Sequence, residues 1–228
     1  MRGGSPAFAA VIFDMDGLLL DSERPIRDAW LQAAAELGAP LTEADYHSVI
    51  GLNHRDSQLR LLALFGDDAT LLAAARLQAE ARLAAQLGAD GFAAKPGARR
   101  LLRGLRRAGV PCAVASSTEQ AEVRRRLLRA GLLDCFDAVC GGDEVARGKP
   151  EPDLYRLAVE RLRVDARGCV AFEDSNYGAR AALAAGLAVV VVPDLKPAEP
   201  QWQARCLAVL GSLEDASERS LDWFGVAA

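Results

Sequence analysis

The stretch Ala9-Ala10-Val11-Ile12-Phe13-Asp14-Met15-Asp16-Gly17-Leu18-Leu19-Leu20-Asp21-Ser22-Glu23 decides the fold. Ala9–Phe13 is apolar without alternation, which reads as a strand buried on both faces of a parallel sheet. It ends in two carboxylates one residue apart, followed by a glycine. At the carboxyl end of such a strand the chain enters the crevice where open α/β sheets bind ligands. Asp14 and Asp16 then share a small volume, where like charges repel unless a cation or a proton compensates. An oxygen-rich cluster of this kind suits Mg²⁺. Turn chemistry also accounts for a strand-end Asp pair, because Asp bonds its own backbone two residues on. An EF-hand loop does not: Gly17 stands at the fourth position and three leucines follow it.

Downstream, the pattern is helical from Ser22 to Leu87. Ser22 is a candidate N-cap with Pro25 in the first turn. Ile26, Ala29, Trp30, Ala33, Ala34 and Leu37 recur at helical spacing up to Gly38. Thr42 caps a short second helix, a third runs from Arg55 to Leu64, and an Ala/Leu-rich fourth from Ala69 to Leu87 ends at Gly88. No strand-like run interrupts them, so four amphipathic helices make a small bundle.

From Pro96 the rhythm changes. Strands are expected at Val110–Ser116, Asp137–Cys140, Cys169–Glu173 and Leu187–Val192, with a last edge strand at Cys206–Leu210. Helices are expected at Gly97–Ala108, Glu119–Ala130, Pro152–Leu162 and Gly178–Ala185, and one begins at Leu213–Ala216. Alternation of this kind means a parallel sheet wound with helices on its faces. The first strand belongs to that sheet, since it cannot stand alone. The fold class is therefore α/β. A Rossmann-like parallel core with helices on both faces (6–20 and 96–228) carries an inserted four-helix cap (21–95), hinged where the chain crosses twice.

The totals set outer bounds. With 228 residues, 51% of them hydrophobic, the chain is long enough for one large domain or a medium one with an insertion. A net charge of −4 gives no reason to expect nucleic-acid binding. No run reaches the length of a membrane span, and the first ten residues lack a signal-peptide stretch. Five cysteines, at 112, 135, 140, 169 and 206, form no CxxC pair and are read as free thiols of a cytoplasmic protein. Arginine clusters at 99, 100, 103, 106 and 107, and at 124, 125, 126 and 129, read as solvated helix faces. Of 27 basic residues only Lys95, Lys149 and Lys196 are lysines, so each is worth locating.

Three further strand ends carry chemistry. Ser116-Ser117-Thr118 offers hydroxyls and free N–H groups before a helix, an anion cradle in which Ser117 or Thr118 also serves as the cap. Lys149 sits in Gly148-Lys149-Pro150-Glu151-Pro152-Asp153, which is no Walker A loop because Pro150 replaces Ser/Thr. A lysine there suits a compact charge against a phosphate or a carboxylate. Glu173-Asp174-Ser175-Asn176 ends a buried strand in two carboxylates that need a compensating cation.

In order and type, Asp14-x-Asp16-Gly17, Ser116, Lys149-Pro150 and Glu173-Asp174 resemble the four motifs of the haloacid dehalogenase superfamily. The resemblance lies in its helical-cap phosphatase and β-phosphoglucomutase branch and covers nearly the whole chain. It implies a Mg²⁺-dependent phosphatase of a small phosphorylated metabolite, a sugar phosphate or a phosphoglycolate-like acid. By the same resemblance Asp14 is the nucleophile that forms an aspartyl-phosphate, Asp16 the general acid/base, Ser116 a phosphoryl contact, and Lys149 the counter-charge. Mg²⁺ is implied on Asp14, the backbone carbonyl of Asp16, and Asp174, with Glu173 a ligand or ligand-orienter. Ser117, Asn176, His54 and Arg55 are candidate substrate contacts. The mutase alternative has a histidine in the first cap helix, where this chain reads Arg24-Pro25-Ile26-Arg27. It also has a phosphate-binding arginine in a Gly-Val-Ser-Arg loop, where this chain reads Gly51-Leu52-Asn53-His54 with Arg55 one residue later. A true dehalogenase needs neither Asp16 nor Glu173-Asp174. A monomer without nucleic-acid or membrane partners is expected.

Overall fold

A computed structural model describes residues 7–50, 52 and 54–225, without the side chains of His54, Ser220 and Leu221. Six parallel strands form one sheet in the order β3-β2-β1-β4-β5-β6. They are β1 (Ala10–Phe13), β2 (Cys112–Ala115), β3 (Ala138–Cys140), β4 (Cys169–Glu173), β5 (Ala188–Val191) and β6 (Ala208–Val209). Ile12 of β1 stands opposite Ala113 of β2 on one side and Ala171 of β4 on the other. The chain winds outward from β1 to β3 and then returns to start β4 beside β1. That reversal opens a crevice at the carboxyl ends of β1 and β4.

Period-two alternation sorts the strand residues onto two apolar faces, which is why the run at 9–13 shows no polar member. Val11, Phe13, Val114, Val170 and Phe172 face α5 (Ala98–Arg107), α6 (Gln120–Arg129) and α10 (Leu213–Phe224). Phe13 stacks on Phe172 with ring centroids 5.2 Å apart, and Trp223 meets Phe172 edge-on. Truncating a buried aromatic of this kind costs about 3–5 kcal/mol. The opposite face is richer in small residues: Ala10, Ala113, Ala115 and Ala171 pack with Ile12, Val189 and Val191 beneath α7 (Asp153–Leu162) and α8 (Asn176–Ala184).

Between β1 and α5 lies the helical cap of α1 (Glu23–Glu36), α2 (Glu43–His47), α3 (His54–Leu64) and α4 (Ala69–Leu87). Ala29, Ala33 and Ala79 let α1 and α4 approach closely, and Trp30 meets Phe65 edge-on in the cap's own core. Thr42 and Asp45 close a capping box on α2, while Asp68 and Gly88 bound α4. The two crossings into the cap lie side by side: Asp21 N–H donates to Ala93 O and Lys95 N–H to Leu19 O, both at 2.9 Å. Asp194, in the loop after β5, accepts from Arg24 at 2.6 Å and from Lys95 at 2.7 Å, with its side chain 1% exposed.

Several expectations need correction. Ser22 precedes α1 but caps nothing; its hydroxyl donates to Asp16 instead. Neither Ser117 nor Thr118 caps α6, which starts at Gln120 with its N–H bonded to Asp143 at 2.7 Å. The tail helix α10 runs through Phe224, because Leu213, Ala216, Trp223 and Phe224 are buried on one side and seal the Phe face of the sheet. β6 is only two residues long, held beside β5 by Leu207 N–H on Val189 O and Leu210 N–H on Val191 O. The five cysteines are unpaired, with Cys112, Cys140 and Cys169 buried. Among the described residues no helix is long and apolar enough to cross a membrane.

Candidate active site

The carboxyl edge of the sheet gathers the four motifs, because each follows a strand of the same parallel sheet: Asp14 after β1, Ser116 after β2, Lys149 in the loop beyond β3, and Glu173 as the last residue of β4. Lys149 Nζ lies 2.5 Å from Asp14 Oδ1 and 2.5 Å from Glu173 Oε1, and its side chain is 4% exposed. Burial lowers the Lys149 pKa, but the charges and hydrogen bonds of Asp14 and Glu173 outweigh it and raise the pKa above the ordinary amine value. Glu173 is fully engaged. Oε1 also accepts from the Tyr155 hydroxyl at 2.6 Å, and Oε2 from the Ser175 N–H and hydroxyl. Gly178 makes room for it, since a Cβ there would fall 1.8 Å from Glu173 Oε1.

Gly17 has the positive φ of +82° that the turn after Asp16 requires. A Cβ at Gly17 would lie 2.3 Å from Asp174 Oδ2, so the glycine also lets the β4 carboxylate close on the β1 turn. Burial pushes the Asp174 carboxyl well above the usual range, and the charges of Asp14 and Glu173 push the same way. Burial does the same to Asp14, against the pull of Lys149.

These carboxylates test whether a divalent cation fits. Asp14, Glu173 and Asp174 are buried together with a single lysine, and among the described residues no hydrogen-bond donor reaches Asp174. A hard cation beside Asp14 and Asp174 would balance this excess charge. Among the described residues no three His, Cys, Asp or Glu side chains already form a metal cluster.

Asp16 is held by hydroxyls and a guanidinium. Oδ1 accepts from Ser22 at 2.8 Å and Arg126 at 2.7 Å; Oδ2 accepts from Thr118 at 2.9 Å and Ser116 at 3.3 Å. The cavity above these groups, about 1010 Å³, lies between core and cap. Ser117 and Arg55 line it, as do the cap residues Trp30 and Tyr46. Glu23 lines it too, its carboxyl raised to about 7 by burial and then by the charges of Asp16 and Asp194. Asn176 is not brought to this cavity. Its amide is spent on Pro197 O and the Glu199 N–H, and it borders a smaller cavity of about 260 Å³ beyond Asp174. The side chain of His54, with Gly51 and Asn53, lies outside the described residues.

Thr118 is legible as part of the hydroxyl cradle but not as a partner of Asp16, and Tyr155, Glu23 and Arg126 carry no site signal in the sequence. Tyr155 falls within the expected helix Pro152–Leu162, and only the fold brings its hydroxyl to Glu173. Arg126 shares the spacing of its solvated neighbours.

A family model described as haloacid dehalogenase-like hydrolase matches residues 8–186. The chain is 34% identical over 204 residues to a phosphorylated carbohydrates phosphatase of Thermotoga maritima, covering 88% of this chain and 93% of that one. Among solved structures it is similar to CbbY from Rhodobacter sphaeroides in complex with xylulose-(1,5)bisphosphate: 30% identity, TM-score 0.76, 91% of this chain and 96% of that one. A predicted phosphoglycolate phosphatase from Haemophilus somnus shares the fold at TM-score 0.81 and 19% identity, covering 95% of this chain and all of that one (100%).

Proposed function

The chain belongs to the haloacid dehalogenase-like hydrolase family, and from that premise we propose that it hydrolyses a sugar phosphate or phosphoglycolate-like monoester through Asp14. The observation that carries this reading is the Lys149 ammonium held between Asp14 and Glu173 at the crevice of the sheet. Asp14 Oδ attacks phosphorus and takes the phosphoryl group, while Asp16 delivers a proton to the departing alcohol oxygen. Asp16 then takes a proton from water as the water oxygen attacks the aspartyl-phosphate, which frees phosphate and restores Asp14. Lys149 keeps Asp14 positioned and offsets charge on the transferring oxygens. The Ser116 hydroxyl, now on Asp16, turns to a phosphoryl oxygen. Asp14, Asp174 and the backbone carbonyl of Asp16 would hold Mg²⁺, with Glu173 orienting Lys149 behind them. When bound, the ion offsets phosphoryl charge that one lysine cannot.

We take residues 21–95 as the cap and 6–20 with 96–228 as the core. Cap residues such as Trp30 and Tyr46 then face the leaving group and exclude bulk water. The sugar-phosphate class is supported by the named activity of the Thermotoga relative and the ligand of the CbbY structure. A phosphate-release screen over a metabolite panel, with and without Mg²⁺, tests the proposal. No Mg²⁺-dependent release from any monoester would overturn it. A coupled assay for glucose 6-phosphate formed from β-glucose 1-phosphate separates hydrolysis from the mutase alternative.

A further inference from the structure

Of the α6 arginines, Arg124, Arg125 and Arg129 are exposed, but the Arg126 side chain is 17% exposed and turns into the crevice. Its Nη1 donates to Asp16 Oδ1 at 2.7 Å and its Nε to Glu122 Oε1 at 2.8 Å. The guanidinium carbon lies 5.0 Å from the ring centroid of Phe92, a buried residue on the segment that returns from the cap. Such a stack fixes the plane of an arginine fork in a way a lysine could not copy. Ser22, Thr118 and Ser116 supply the other donors to Asp16, so among the described residues Arg126 is its one cationic partner.

We propose that Arg126 is a positioning residue that sets the orientation of the Asp16 carboxylate for proton transfer. The inference rests on the role given to Asp16 above. Arg126 lines the cavity beside Ser116 and Thr118, and the group it bonds there is the Asp16 carboxylate that both hydroxyls share. Two carboxylates and an aromatic ring already occupy its fork, which leaves it poorly suited to anchor a second anionic group of the substrate. A misaimed acid costs most when the leaving oxygen needs its proton and little when it does not.

The test compares glycerol 2-phosphate, an alkyl ester whose leaving oxygen must be protonated, with p-nitrophenyl phosphate, whose leaving group departs as the anion. Steady-state turnover is read with the first and the initial burst of p-nitrophenolate with the second. Arg126→Met should lower kcat on glycerol 2-phosphate at least tenfold with KM within about threefold, and slow the burst less than threefold. Arg126→Lys should recover part of the loss. In an Asp16→Asn background Arg126→Met should cost less than a further twofold, because groups acting as a unit are not additive. Equal loss on both substrates, a raised KM at unchanged kcat, or full additivity with Asp16→Asn would each overturn the proposal. Should Arg126→Met fail to fold, Arg126→Lys, whose ammonium cannot span Asp16 and Glu122 as a fork, carries the same comparison. Full turnover by Asp16→Asn would sink the acid/base reading itself. An impaired Asp16→Asn beside a normal Arg126→Met would sink only the inference about Arg126.

Discussion

Lys149 Nζ stands 2.5 Å from Asp14 Oδ1 although 135 residues separate them in the chain, and both side chains are almost wholly buried. The pair is one arm of a bridge whose other arm is Glu173. Replacing Lys149 with Met leaves the volume largely filled and strands two buried carboxylates. Turnover should fall at least 100-fold, the scale seen when one preorganised donor to a developing charge is lost. In EDTA the fold should weaken by about 3–5 kcal/mol, as when a buried pair loses one partner. Thermal melts check the second figure, and a smaller deficit in Mg²⁺ than in EDTA is expected.

The excess charge around Asp174 predicts a metal-dependent melting temperature. Folding raises the pKa values of both Asp14 and Asp174. Their favourable contribution is thus present below the unfolded carboxylate value and is lost as pH rises through the folded one. The metal-free protein should therefore melt lower at pH 8 than at pH 5. Mg²⁺ at 100 times its Kd should add about 2.7 kcal/mol of stability at neutral pH. Asp174→Asn should abolish that gain while raising the melting temperature in EDTA. A Mg²⁺ shift undiminished in Asp174→Asn would place the ion elsewhere.

How far the sequence reached depended on whether a feature is local. β4 and α4 were legible at both ends: β4 is an apolar run stopped by carboxylates, and α4 has Asp68 on its first N–H groups and Gly88 after its last turn. The Asp14, Ser116 and Glu173-Asp174 positions were legible because each sits at a strand end and one parallel sheet gathers strand ends; Lys149, in the loop well past β3, was legible because lysine is so scarce in this chain. Features that depend on a distant partner were not. The Ser22 hydroxyl looks like a cap until the turn at Gly17 brings Asp16 within 2.8 Å of it. Arg126 adjoins buried Leu127 at the border of the apolar face of α6, where spacing alone cannot say which way a long side chain turns. The length of α10 was hidden because mostly polar residues (Ser217, Glu218, Arg219, Ser220 and Asp222) separate Ala216 from Trp223, which is buried because the sheet lies beneath it.

Glu23 offers a pH dependence coupled to the site through the charge of Asp16. Its carboxyl is raised from 4.5 to about 7, by burial first and then by the charges of Asp16 and Asp194. A raised folded pKa means its contribution is intact below about pH 4.5 and lost as pH rises through 7. Glu23→Gln removes that loss. Measured in EDTA, the variant should melt several degrees above the parent at pH 8, a gain on the order of 2 kcal/mol, and within a degree or two of it at pH 5. Equal shifts at both pH values would show that packing rather than charge at Glu23 is responsible.

Asp194 is 1% exposed and receives Lys95 from the segment leaving the cap and Arg24 from the helix entering it, both on Oδ1, while Oδ2 has no hydrogen-bond partner among the described residues. One buried carboxylate thus ties both crossings to the core loop after β5. Arg24 is 43% exposed, so water can replace its share of the bond; Lys95, at 20%, has less access. Lys95→Met should therefore cost more stability than Arg24→Met, about 2 kcal/mol against less than 1 kcal/mol. Asp194→Ala removes both ties and should cost about 3 kcal/mol. Because Leu19, Asp21, Ala93 and Lys95 keep their backbone hydrogen bonds, the crossings should stay paired, and the lost restraint should appear as faster amide exchange in residues 20–25 and 92–96. Unchanged exchange there, with a lowered global melting temperature, would mean that Asp194 supports the core alone and leaves cap motion to the backbone.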